Sequence, residues 1–253
     1  MSFSTRHLDR ERAESFGTVA EEYEHYRPDF PQALVDDLAQ LTAANVLDVG
    51  CGTGKAAAAL AGRGFSVLGL EPDERMARFA QRKGIPVEIS NFETWQAGDR
   101  RFDLIISADA WHWIDPISGA RQAAKLLSPG GHIARFWSFY ELDSAILDEF
   151  DDIYRECARE TQVGGGRQKS TEGVHDPLVN DTDFVAVTQR NYHWELTMNA
   201  DEWIGLITTF SDHQRLAPPD RAVLFARLRA AIEHRGGAVR ATAGTFLQLA
   251  RRI

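Results

Sequence analysis

The sequence predicts a doubly wound α/β fold, and three observations carry that expectation. Residues 46–71 read as a strand, a glycine turn, an alanine-rich helix and a second strand, which together make a βαβ unit with a right-handed crossover. Apolar strand-like runs then alternate with amphipathic helical stretches, the order that builds mostly parallel sheets. With 253 residues and 43% hydrophobic content, the chain can bury a substantial core as one domain.

Taken in order, residues 7–28 are charged, with Phe16, Val19, Ala20, Tyr23 and Tyr26 at helix-like intervals until Pro28 ends the pattern. One amphipathic helix with an aromatic stripe is expected there. Residues 31–41 predict a helix lying on the sheet through Leu34, Val35, Leu38 and Leu41. The first strand, 46–49, turns through Gly50, Gly52 and Gly54 into a helix reaching 61, and 65–70 form the second strand. A helix over 74–83, a short strand over 86–89 and a buried strand over 102–107 follow. A helix ends at 127, and the Ser-Pro-Gly-Gly turn at 128–131 leads into a fifth strand over 132–137. Helical periodicity returns at 144–160, before a glycine-rich loop at 163–173 whose Arg167 and Lys169 are candidates to meet an anion. A long strand over 185–197 places Tyr192 to Trp194 in the core, helices cover 200–210 and 218–234, and 244–252 is the last strand.

Composition narrows the function. The formal net charge of −9 disfavours a broad nucleic-acid footprint and favours a small-molecule partner. No run of 18 apolar residues occurs and the first residues lack an apolar signal core, so a cytoplasmic protein without membrane association is expected. The two cysteines, Cys51 and Cys157, suggest neither a disulfide framework nor a zinc cluster, and no metal is expected. Monomer and homodimer both remain open.

The glycine turn selects the ligand class. A phosphate loop needs glycine where Val49 stands, and Ser or Thr where Ala56 follows Lys55. A dinucleotide fingerprint has its third glycine one residue later than Gly54. Here the glycines run G-x-G-x-G, with Asp48 two residues before the first. That carboxylate would repel a pyrophosphate and suits a cationic ligand.

At Asp48, Gly50, Gly52 and Gly54 the sequence resembles the first motif of the class I S-adenosylmethionine-dependent methyltransferases. The resemblance implies S-adenosyl-L-methionine as cofactor and S-adenosyl-L-homocysteine as product. It also implies a Rossmann-like, seven-stranded, mostly parallel sheet with an antiparallel last strand and a small helical cap. Residues 1–44 would then supply lid helices, 45–140 the cofactor core, and 141–253 the C-terminal strands and acceptor cap. In that family the turn takes the amino-acid part of the cofactor, an acid at the Asp48 position helps hold its ammonium, and an acid at the Glu71 position accepts both ribose hydroxyls. The same resemblance puts Pro72 and Met76 near the adenine, Asn91 at its edge, Phe92 over its face and Ala108 at the fourth strand's end. The segment F-G-x-x-A-x-x-Y-x-x-Y-R-P, from Phe16 to Pro28, looks like the family's cofactor-covering N-terminus, with Tyr23 and Arg27 as cofactor or substrate contacts.

Ala110, His112, Trp113 and Asp115 form an A-x-H-W-x-D pattern that resembles the trans-aconitate and related small-acid methyltransferases. His112 is the candidate base or substrate anchor, and Trp111, Trp113 and Trp137 are candidate walls of the acceptor pocket. The stretch around Trp203, Thr209, Phe210, Ser211 and His213 resembles that group's acceptor helix and supplies further candidates. The expected function is O-methylation of a carboxylate, small or fatty, or of a hydroxyl. Carbon or nitrogen methylation in quinone or natural-product biosynthesis is the alternative, and a cofactor-binding regulator without turnover is the alternative from another class.

Overall fold

The structure is a computed structural model that describes residues 3–41, 43–161, 178 and 183–253. Seven strands form one sheet: β1 (Asn45–Val49), β2 (Ser66–Glu71), β3 (Val87–Ile89), β4 (Phe102–Ala108), β5 (Leu127–Leu142), β6 (Phe184–Asn199) and β7 (Ala238–Arg252). Their order is β3-β2-β1-β4-β5-β7-β6. Strands β1 to β5 pair in parallel, whereas β7 runs antiparallel to both β5 and β6. The doubly wound sheet with an antiparallel last strand is therefore the observed architecture.

Parallel strands buried on both faces need apolar residues at consecutive positions, and β1 and β4 have them. Leu47, Val49 and Ile105 face the core formed with α6 (Pro116–Leu126), together with Trp95, Trp111 and Phe184. Val46, Leu104 and Ile106 face the opposite core, closed by α3 (Gln32–Ala39), α4 (Lys55–Ala61) and α5 (Glu74–Arg82). A third core fills the C-terminal cap, where α7 (Ser144–Cys157), α8 (Ala200–Thr208) and α10 (Pro218–His234) pack around Phe150, Trp203 and Leu228. Asn199 caps α8 with a reciprocal capping box to Glu202, which fixes where β6 turns into the cap.

Several boundaries differ from the sequence expectation for physical reasons. The N-terminal stripe is split into a turn of 3-10 helix, Ser15–Val19, and α2, Ala20–Tyr26. Gly17 and the extended φ of −125° at Val19 interrupt a single α-helix. Strands β5 and β7 are longer than their apolar runs because they form a ribbon, with pairs reaching from His132↔Arg251 to Leu142↔Ala241. Residues 192–194 alternate along the edge strand β6: Tyr192 and Trp194 are half-buried against the cores, the Tyr192 hydroxyl donating to Asp37 Oδ2 at 2.6 Å, whereas His193 is exposed and is not core. The loop at 163–173, with Arg167 and Lys169, lies outside the described residues.

Among the described residues no helix is long and apolar enough to cross a membrane, and no cluster of His, Cys, Asp and Glu is placed to hold a metal ion.

Candidate functional site

The glycine turn after β1 is shaped by backbone geometry and close packing. The amides of Gly50 and Cys51 both donate to the Leu70 carbonyl, at 2.8 and 3.1 Å, and bind the turn to the end of β2. Gly50 has φ +68°, and a Cβ there would lie 2.6 Å from the Ala110 Cβ. Gly54, at φ +79°, begins α4, where a Cβ would lie 2.7 Å from Ala80 Cβ on α5. Its role is thus to let two helices approach. Glu71 closes the turn from β2: its Oε2 accepts from the Gly52 amide at 2.9 Å and its Oε1 from the Asp73 amide at 3.1 Å.

At the carboxyl ends of β1, β2 and β4 an open cleft encloses about 800 Å³. Glu71, Pro72, Met76, Asn91 and Phe92 line one end of it. Phe16 and Trp113 line the mouth, their ring centroids 5.9 Å apart in an edge-on contact. A second, smaller cavity lies beyond the glycine turn, with Arg27, Thr53, Lys55 and Tyr140 in its walls. Tyr23, Gly50, Gly52, Ala108 and Asp109 border both.

The N-terminal segment spans the mouth and is tied to the cap. Arg12 is buried; its Nε donates to Ser211 Oγ at 2.9 Å, its guanidinium pairs with Asp212, and it lies 5.6 Å from the Trp113 ring centroid. The Arg10 side chain reaches across the cleft to Asn91. Arg27 is held between the rings of Tyr23 and Phe210, 5.1 and 4.6 Å away, with its Nε on Thr209 Oγ1 at 2.7 Å.

Two acids stand at the turn in strained electrostatic positions. Burial pushes the Asp48 carboxyl up to about 8, and the nearby Glu71 charge adds to that. Burial likewise pushes Glu71 up to about 7 against the amides of Asp73 and Gly52. Asp48 is 0% exposed and borders neither cavity, and the Ala57 amide offsets only part of the cost of its burial. Glu71 does border the cleft and retains acceptor capacity toward it.

The acceptor-side expectations divide. Trp113 lines the cleft, and Trp111 lies behind Phe92 at 5.9 Å between ring centroids. His112 packs against Trp113 with ring centroids 4.7 Å apart and planes tilted by 50°, and its Nδ1 accepts from Trp137 Nε1 at 3.2 Å. Burial, reinforced by the charges of Arg6, Arg12 and Arg27, lowers the His112 pKa to about 3. The ring is neutral near pH 7, with its proton on Nε2. Trp137 stacks on Phe246 and borders neither cavity. Phe210 borders neither cavity and reaches the site through Arg27, which it covers, and Tyr140, on which it stacks.

Trp203 and His213 do not line the cleft, which corrects the expectation from sequence. Both are 0% exposed within the cap: Trp203 packs on Phe150, and the His213 Nε2 is 2.6 Å from the Tyr154 hydroxyl. Their helix faces turn into the cap core. Sequence reasoning missed Asp109, Tyr140 and Arg12. Asp109 had a readable signal, an acid one residue beyond a strand end, whereas Tyr140 lay past the expected end of the fifth strand.

The residues fit a nucleoside joined to an amino acid. One end of the cleft offers a carboxylate for a diol beside apolar walls, and the second cavity offers Arg27, Lys55 and the buried, unpartnered Thr53 hydroxyl. The protein family described as "Methyltransferase domain" matches residues 23–143. The chain is 33% identical over 205 residues to an uncharacterized methyltransferase of Mycobacterium tuberculosis, covering 80% of this chain and 79% of that one. It is 33% identical over 114 residues to a ubiquinone biosynthesis O-methyltransferase of Thiobacillus denitrificans, covering 42% and 47%. A solved structure from Anaeromyxobacter dehalogenans, provisionally assigned as a type II methyltransferase, superposes with a TM-score of 0.65 at 23% identity, covering 89% and 98%. That last likeness bears on the fold.

Proposed function

The chain belongs to the class I S-adenosylmethionine-dependent methyltransferases, and from that premise we propose that it methylates a carboxylate oxygen on a small-molecule acceptor. When bound, S-adenosylmethionine supplies an electrophilic methyl group on a sulfonium sulfur. Glu71 would hold the ribose hydroxyls, Met76, Asn91 and Phe92 the adenine, and Arg27 with the glycine turn the amino-acid end. Phe16, Tyr23 and Trp113 would exclude water and hold the acceptor in line, which is much of what an in-line displacement requires.

The observation that carries the choice of acceptor is the state of His112. A hydroxyl acceptor must lose a proton to a base of near-neutral pKa, and a ring whose pKa is about 3 and whose Nδ1 already accepts from Trp137 is a poor base. A carboxylate is already ionised at pH 7. The positive charges of Arg6, Arg12 and Arg27, which add to burial in keeping His112 neutral, also favour an anion there. Hydroxyl methylation is the second reading, supported by the O-methyltransferase named among the relatives.

Mass spectrometry of products from labelled S-adenosylmethionine and a panel of small acids, fatty acids, phenols and quinone precursors tests the proposal. A base-labile methyl ester is expected; label found only on phenols, carbon or nitrogen would sink it. A His112→Asn variant should follow the same pH–rate profile as the parent between pH 5.5 and 8.5. Loss of an ionisation near neutrality in that variant would restore His112 as a base.

Ligand affinity should also depend on pH. Glu71 has a raised pKa, so the folded, ligand-free protein keeps its proton in a range where the unfolded chain has lost it. The ligand-free protein therefore loses stability as pH rises from the usual glutamate range to about 7, and Asp48 extends the loss toward 8. A ligand that needs the Glu71 carboxylate binds better over the same range. Titration of S-adenosylhomocysteine should show roughly a tenfold gain in affinity from pH 6 to pH 8. A pH-independent affinity would refute this role for Glu71.

A further inference from the structure

The two cavities meet at Tyr23, Gly50, Gly52, Ala108 and Asp109, and among these five only Asp109 has a carboxyl group. It is also the one non-glycine residue with positive φ, +53°, among the described residues. Such a conformation costs energy in an L-residue and persists where the surroundings impose it. Here they do so at three points. The Asp109 amide donates to the Phe136 carbonyl at 2.8 Å, the Ser138 amide donates to Asp109 Oδ1 at 2.8 Å, and the Ser138 hydroxyl donates to Oδ2 at 3.0 Å. Each carboxylate oxygen keeps acceptor capacity for a ligand.

Arg27 and Asp109 both border the second cavity, and among the described residues no ion pair joins them. A cavity that presents a guanidinium and a carboxylate without pairing them matches a ligand carrying both charges. Asp48, the acid that the family motif would assign to an ammonium, borders neither cavity.

Resting on the reading of this cleft as the S-adenosylmethionine site, we propose that Asp109 is a positioning carboxylate that takes the ammonium of the cofactor's amino-acid end, while Arg27 takes its carboxylate. The ammonium persists from cofactor to product, so this contact binds both and leaves the sulfonium charge to be lost freely. Burial raises the Asp109 pKa, against Arg27 and the Ser138 bonds that hold it down, and an arriving cation offsets that burial.

The Asp109→Asn variant removes the charge, keeps an oxygen for the Ser138 amide, and retains a residue type that tolerates positive φ. Calorimetric titration with S-adenosylhomocysteine and with 5′-methylthioadenosine, which shares the nucleoside and sulfur but lacks the amino-acid end, separates the roles. Homocysteine-nucleoside affinity should fall about 10- to 100-fold and methylthioadenosine affinity should stay within about twofold. Asp109→Gly, which carries no steric cost at positive φ, should show the same ligand-selective loss.

An unchanged S-adenosylhomocysteine affinity overturns the inference, as does an equal loss for both nucleosides. Failure of the parent protein to bind S-adenosylhomocysteine would instead remove the proposed function on which the inference rests.

Discussion

Glu71→Ala is expected to reduce S-adenosylhomocysteine affinity by about 10²- to 10⁴-fold, on the reading that two charge-assisted hydrogen bonds are lost at about 1.5–3 kcal/mol each. The effect has two parts. The carboxylate accepts from the Gly52 and Asp73 amides and so holds the turn against the start of α5. Its remaining acceptor sites face the cleft, where the cofactor's ribose would lie. Alanine removes both functions and frees two backbone donors. Glu71→Gln keeps one amide partner and should lose only about 10- to 100-fold, since it drops charge while sparing part of the geometry. Calorimetry on the three proteins decides the matter: alanine-variant affinity within fivefold of the parent would mean that the ribose is held elsewhere.

Gly54→Ala should be the most damaging single substitution to the fold at this site. At φ +79° an L-residue costs about 1–2 kcal/mol. Its Cβ would also lie 2.7 Å from Ala80 Cβ and 2.9 Å from Ala80 Cα. The second contact is with backbone, so a rotamer change cannot relieve it. Overpacking of this kind costs about 1–3 kcal/mol, and the sum corresponds to a fall in Tm of about 5–20 °C in a chain of this length. Gly84→Ala is the control, because Gly84 has φ +83° and nothing lies within 4 Å of its added Cβ. It isolates the backbone cost. Equal melting temperatures for the two variants would show that α4 and α5 separate easily.

What sequence revealed and what it concealed follow from the range of the interactions involved. The turn from Asp48 to Gly54 and the acid at Glu71 were legible because their chemistry is local: spacing fixes which groups the strand ends present. Met76, Asn91 and Phe92 came through the family resemblance, and the cleft gathers them at one end. Trp203 and His213 show the limit, since periodicity says which residues of a helix are buried without saying against what. Arg12 reads as one more charge in a charged stretch, and only its bond to Ser211, far along the chain, makes it a buried tie across the mouth. Asp109 was legible as an acid at the end of β4, but its positive φ was not, because no neighbour in sequence announces that conformation at an aspartate.

The placing of β7 between β5 and β6 has a consequence for the protein's birth. On the ribosome β5 can pair with β4 while its partner on the other side is still unsynthesised, and residues 143–237 must follow before β7 arrives. Throughout that interval the nascent sheet offers a 16-residue strand with one unpaired edge, open to any other chain that can add to it. The polypeptide closes this gap with β7, not with β6, the strand made first. A growing chain of this architecture is therefore most exposed to misassembly late in translation, after the residues of the cofactor cleft have all been made, and slowing elongation beyond Leu142 prolongs the hazard.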